Sequence, residues 1–205
     1  MPVTSGPPDW YTRSVKDKQD WTNAPPAVPL DGSEPFRGMD ATVADFWAFA
    51  MSDLRMNNVR GYLAEFLVRQ AVGATHTRVE WDSADVIAPD GSRIEVKASA
   101  YVQSWAQRGP SRITFGGLRG RMWTPQDGLS TDLSYNADVY VFAVQTADSH
   151  DSYDPLDVSQ WAFWVVPVAK LAQLGFTSIS LATVERLADR IGFQDLPALL
   201  AVERN

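Results

Sequence analysis

Two carboxylates and one ammonium stand out by type and spacing: Asp85 in WDSADVI, and Glu95 with Lys97 in RIEVKAS. Between them, Ala88-Pro89-Asp90-Gly91-Ser92 supplies proline for a first turn position and glycine for a left-handed one. A three-residue loop, Pro89 to Gly91, pairs Ala88 with Ser92. Counting outward then sets Val86 opposite Ile94 and Asp85 opposite Glu95. Strand side chains alternate, so Lys97 shares the side of Glu95 and Asp85, while Ile94 and Val96 point into a core and Asp82 falls on the opposite face. A two-residue loop at Asp90-Gly91 would instead pair Asp85 with Val96 and mix the faces.

Directly opposed carboxylates lie about 5 Å apart at their β-carbons and repel. At ~4 Å and an effective dielectric near 20, the repulsion is on the order of 4 kcal/mol before screening. Lys97 offsets part of it. A hard divalent cation offsets more, since Mg2+ takes one or two carboxylates together with waters and a phosphate oxygen. The alternative is a raised carboxyl pKa, suited to acid/base work. Lys97 is one of only four lysines among eighteen basic residues, and a compact ammonium is the better partner for an attacking water.

The elements that would hold these groups follow from the pattern around them. VRGYLAEFLVRQAV, residues 59–72, reads as a helix ending at Gly73. Val59, Tyr62, Leu63, Phe66, Leu67 and Gln70 cover one side; Gly61, Ala64, Glu65, Val68 and Val72 cover the other. Both sides are mostly apolar or small, which predicts a helix packed on two faces, with Glu65 in the small-residue strip. Glu65 is then a third acid for the site, or the partner of Arg69 one turn on. An earlier helix is expected over 41–56, capped by Asp40, with Val43, Phe46, Trp47, Ala50, Met51 and Leu54 at helical spacing. Strands are expected near 75–87, 92–102, 112–116, 137–145 and 161–167, and further helices over 167–174, from Thr183, and to about 203.

The order of elements predicts an α/β (α+β) domain, a central mixed sheet flanked by helices. Residues 1–37 hold seven of the thirteen prolines and read as an extended arm, lying on the body through Trp10 and Trp21, ahead of one domain over 38–205. No apolar run approaches the roughly 18 residues of a membrane helix, and MPVTSGPPDWYTR does not read as a secretion signal, so a cytoplasmic place is expected.

Zero cysteines exclude thiolate nucleophiles and cysteine metal sites, and His76 and His150 are too isolated to form a histidine metal pair. GGLRG at 116–120 matches no phosphate-cradling motif and reads as a loop. The chain carries a net charge of −7, yet Arg93, Lys97, Arg108, Arg112, Arg119 and Arg121 face a single acid, Glu95, between Ser92 and Arg121. That segment fits a polyanion footprint or a solvated arginine-rich loop. The acidic stretch DSHDSYDPLD lies apart, at 148–157. Beyond Lys97 the alternation puts Ser99, Tyr101, Gln103, Trp105 and Gln107 on one side, a strip able to stack on bases or simply an amphipathic edge.

Taken in order, helix GYLAEFLV with Glu65, Asp85 in WDSADVI, Glu95-Val96-Lys97 in RIEVKAS, and Gln103 in YVQSW resemble the PD-(D/E)XK nuclease superfamily, also called restriction-endonuclease-like. The match spans 59–105, about a quarter of the chain, with Ala84 standing where a proline precedes the hairpin acid. The resemblance implies a DNA endonuclease or nicking enzyme, with RNA as the lesser alternative. Asp85, Glu95 and the Val96 carbonyl would hold Mg2+ or Mn2+, Lys97 would orient the attacking water, and Glu65 would position a water or a second ion. Gln103 would contact substrate or the lysine, with Tyr101, Trp105, Arg108, Arg112, Arg119 and Arg121 along the nucleic acid. Cutting both strands would call for a homodimer, and no membrane partner is implied. A noncatalytic binding domain of the same fold is the alternative, and a carboxylate-pair enzyme on another ester or a sugar is a third class.

Overall fold

The computed structural model describes residues 28–78, 84–124 and 128–204. Helix α1 spans Val43–Met51 and α2 spans Asn57–Val72. Strands β1 (Val86–Ile87), β2 (Arg93–Ala100), β3 (Thr114–Phe115), β4 (Trp123–Thr124), β5 (Gly128–Leu129), β6 (Val139–Gln145) and β7 (Trp161–Pro167) follow. Helix α3 (Val168–Leu174), strand β8 (Ile179–Ser180), the short helix α4 (Leu181–Val184) and α5 (Leu196–Glu203) complete the order. The chain is mixed α/β: a four-stranded mixed sheet, β1-β2-β6-β7, with two-stranded pairs β3-β8 and β4-β5 and helices beside it.

Within the large sheet β2 runs parallel to β6, and the other neighbours are antiparallel. Both faces are covered, which explains why β6 is buried at every position and reads as an unbroken apolar run. On one face Ile94, Val96, Val141, Phe163 and Val165 pack against Ala64, Leu67 and Val68 of α2 and Leu196 and Leu200 of α5. On the other, Tyr140, Phe142, Trp164 and Val166 meet Ile113, Phe115, Leu118, Leu171 and Val184. Each such side chain contributes about 1.5–3 kcal/mol by leaving water. A parallel step needs a long crossover, and here residues 101–138 make it, carrying the glycine-rich loop along the face that bears Glu95 and Lys97.

Several expectations change. Thr42, not Asp40, caps α1: its hydroxyl accepts from the Asp45 amide while the Asp45 carboxylate accepts from the Thr42 amide, a reciprocal box. The helix is shorter than 41–56 and buries none of its residues, with Phe46, Trp47, Phe49 and Met51 exposed. Helix α2 packs on one face only, leaving Tyr62 and Phe66 exposed. Its end is as expected, with Gly73 at φ +65° donating to the Arg69 and Gln70 carbonyls. Of the strand expected over 75–87, the described part pairs only at 86–87, and Asp82 lies outside the described residues with the rest of 79–83. Of the arm expected over 1–37, residues 1–27, with Trp10 and Trp21, lie outside them as well. Glu34 and Gly32 carbonyls accept from Val43 and Ala44, tying the remainder to the start of α1.

Candidate active site

The hairpin forms in the three-residue register. Ala88 donates to the Ser92 carbonyl at 2.9 Å, Gly91 sits at φ +88°, and the ladder pairs Ile87 with Arg93 and Val86 with Ile94. Among the described residues the backbone pairing ends there, so Asp85 is not the ladder partner of Glu95 that counting predicts. The next amide on that edge, Val96 N–H, donates to the Asp85 carboxylate at 2.8 Å. Asp85 thus replaces the missing strand neighbour. A strand residue directs its amide and carbonyl to the same edge, so the Val96 carbonyl emerges beside Asp85.

Glu95 and Lys97 share the opposite face of β2 from Ile94 and Val96, as alternation requires. Lys97 Nζ donates to Glu95 Oε1 at 2.6 Å, with both side chains about four-fifths buried. Glu65, from the middle of α2, accepts from Arg78 Nε at 2.6 Å. Arg69, its expected helical partner, turns instead to the His76 carbonyl.

The electrostatics bind the three acids into one neighbourhood. Burial pushes the Glu95 carboxyl up, the Asp85 charge pushes it further, and Lys97 only partly opposes them. Burial likewise raises Glu65, with the charges of Asp85 and Glu95 adding to it against Arg78. Two acids on different elements therefore feel the same Asp85. Among the described residues, no three His, Asp or Glu side chains are drawn together into a ready metal cage.

Tyr140, opposite Glu95 on β6, is buried and pushed up to about 12, the nearby Glu95 charge contributing. It remains a donor and bonds the Leu118 carbonyl at 2.9 Å. That bond pins the Gly116-Gly117-Leu118 turn. Gly117 adopts φ +64°, and a β-carbon on it would lie 3.8 Å from Lys97 Nζ, so GGLRG is a loop as expected, and one that passes over the lysine.

The remaining candidates are distributed unevenly. Strand β2 stops at Ala100, so the alternating strip does not extend to Gln107. Gln107 instead gathers a loop, accepting from the Gln103 amide and donating to the Tyr101 carbonyl and Ser111 hydroxyl. Gln103 is buried, donating to the Ala100 carbonyl at 2.8 Å and accepting from Arg60 at 3.1 Å, so both ends of its amide are engaged within the protein. Tyr101 is half-buried beside the second core. Trp105, Arg108, Arg112 and Arg121 are exposed, whereas Arg119 bonds the Leu133 carbonyl and covers the Tyr135 ring at 5.7 Å.

Arg60 was not among the expected residues, though its spacing carries a signal: it stands four and eight positions before Ala64 and Val68, on the buried stripe of α2. Arg78 has no such signal, because it reaches Glu65 across a loop. His76 also gains a role, its Nε2 accepting from the Ile87 amide at 3.3 Å on the outer edge of β1.

No helix among the described residues is long and apolar enough to cross a membrane. The chain matches no protein-family profile, and no curated protein matches it.

Proposed function

We propose that the protein is a metal-dependent, cytoplasmic nuclease of restriction-endonuclease-like fold that hydrolyses phosphodiester bonds in DNA. The observation that carries this reading is the end of the β1–β2 ladder. There Asp85 binds the Val96 amide, and Glu95 and Lys97 form a buried pair beside it.

The donor set fits a hard cation. Mg2+ takes few protein carboxylates and keeps several waters, so Asp85, Glu95 and the Val96 carbonyl suffice to hold it, or Mn2+. Burial and the Asp85 charge raise the Glu65 and Glu95 carboxyls although each has a cation at 2.6 Å, so three acids share two cations here. Bound there, the metal would supply Lewis acidity toward the phosphoryl oxygen. Lys97 orients the attacking water by hydrogen bond and opposes the charge that develops at phosphorus. Water oxygen forms the new bond to phosphorus and releases a proton to solvent as the bond to the leaving strand breaks, and the leaving oxygen takes up a proton from solvent. Glu65 holds a second water at the edge of the site, and the Gly116-Gly117 turn limits solvent access to Lys97.

A noncatalytic nucleic-acid-binding domain of the same fold is the second reading. It is favoured by the closed Glu95–Lys97 and Glu65–Arg78 pairs, which a metal-holding site must rearrange. Digestion of plasmid and single-stranded DNA with Mg2+, Mn2+ or EDTA separates the two. Cleavage that needs metal and is lost in Lys97→Ala and Asp85→Ala supports the nuclease; no metal-dependent cleavage, or cleavage untouched by both substitutions, overturns it.

A further inference from the structure

Beyond Lys97 the same strand runs into a cleft of about 350 Å3, lined by Asn57, Arg60, Ser99, Trp105, Ser111 and Arg112 among others. Its charge is one-sided. No carboxylate lines it, and among the described residues neither Arg60 nor Arg112 forms an ion pair.

Arg60 is the unusual member. It is only 4% exposed, and its terminal nitrogens donate to neutral acceptors, the Arg55 carbonyl, Asn57 and Gln103. Its Nε is buried with no partner. The Tyr153 hydroxyl lies against this guanidinium as well, so what stays unanswered among the described residues is its charge, which no carboxylate faces. Helix α2 adds to this, because Met56 at its N-cap offers no side-chain hydrogen bond and Asn57, its first residue, lines the cleft. A helix start and an arginine fork converge on the chemistry of a phosphate oxygen. Trp105, 55% exposed, presents an aromatic face at the rim, the usual platform for an unstacked base. Ser99 follows Lys97 on the same face of β2, about 6.6 Å further along. The cleft therefore continues the line of the candidate active site.

We propose that this cleft holds a backbone phosphate of a single nucleic-acid strand, bound by Arg60 and Arg112 with a neighbouring base on Trp105. The inference rests on nucleic acid as the substrate in the reading above. It adds which segment grips the strand, and that the grip requires an unpaired one.

The test is anisotropy of a labelled single-stranded oligonucleotide in EDTA, where nothing is cut. Trp105→Ala is expected to weaken binding roughly 5- to 100-fold. Arg112→Gln should weaken it less and reduce the slope of log affinity against log salt by about 0.7. Both side chains are exposed, so neither substitution threatens the fold. The Arg60 Nε–H resonance, assigned by its loss in Arg60→Lys, should shift on adding the oligonucleotide. Unchanged affinity and salt slope in both variants overturn the proposal, and so does a cleft that shifts the Arg60 resonance with inorganic phosphate but takes no oligonucleotide. Binding that depends on Trp105 and Arg112 in a protein that never cleaves would keep the cleft and remove the nuclease. Cleavage by a protein whose binding ignores both residues would do the reverse.

Discussion

The two halves of β2 are built to opposite electrostatic rules. From Arg93 to Lys97 the strand lies among carboxylates: burial first and the Asp85 charge second raise both Glu65 and Glu95, and the neighbouring cations are already paired with them. From Ala98 onward the strand enters a cleft where, among the described residues, neither Arg60 nor Arg112 has an acid partner. One end lacks positive charge and the other lacks negative charge. On the proposed reading, a phosphodiester with its metal would answer both, the cation held beside the first half and a phosphate beside the second. The difference teaches that Arg60, buried with no acid beside it, is not explained by folding stability, since an unpaired buried charge costs free energy.

If the halves divide labour in this way, substitutions should separate cutting from holding. Lys97→Ala should lower single-turnover cleavage by about 10²–10⁴ while binding in EDTA changes little; parallel losses in both assays would break the comparison. In the second half, Gln103 is bonded within the protein at both ends of its amide, to Arg60 and to the Ala100 carbonyl. Gln103→Ala should cost roughly 1–3 kcal/mol by stranding Arg60 and the Ala100 carbonyl, read as a drop in chemical-denaturation midpoint at constant slope. A variant as stable as wild type would show that the network is not what shapes the cleft.

Gly117→Ala tests the turn over Lys97. A left-handed φ penalises a β-carbon by about 1–2 kcal/mol, so a modest loss of stability is expected, together with altered cleavage because the new methyl lies against the ammonium. Activity and stability that both match wild type would place the turn outside the site.

The smallest effect is the pH dependence of the metal-free protein. Glu65 is raised above its ordinary value of 4.5 by burial and by the Asp85 charge. Its protonated form is favoured on folding, so that contribution is complete below the unfolded pKa and disappears as pH rises through the folded one. Glu65→Gln should therefore melt higher than wild type at pH 8 in EDTA, the advantage shrinking toward pH 4. An advantage that grows toward acid would mean that Arg78 outweighs burial and Asp85.

The hairpin register is legible in residues 88–92 because proline and glycine each admit few backbone conformations, and counting outward holds as far as Val86 and Ile94. Beyond them Asp85 leaves the ladder and takes the Val96 amide, which counting does not show. The buried strands β6 and β7 are legible for a similar reason: covered on both faces, they become continuous apolar runs. Helix α1 is the counterexample. Its VADFWAFAM spacing and capping box specify a helix, but periodicity says nothing about what that helix lies against, and its large side chains are left exposed. Gln103 and Gln107 follow the same logic on a smaller scale. Alternation extends β2 past Ala100 only on paper, because local side-chain bonds to the backbone win once the parallel partner ends at Gln145. Arg78 reaches Glu65 through a loop with no periodicity to count.

The short ladder of β1 has a consequence for solubility. A strand whose backbone edge is bare invites a strand from another molecule, and among the described residues β2 has a strand neighbour on that edge for only two residue pairs. Asp85 closes the first open amide with a carboxylate, which no incoming strand displaces without burying its charge. The acid proposed for chemistry is thus also a guard against self-association. Asp85→Asn keeps an acceptor for the Val96 amide and Asp85→Ala does not, so the alanine variant should aggregate more readily on storage or mild heating than an equally inactive asparagine one.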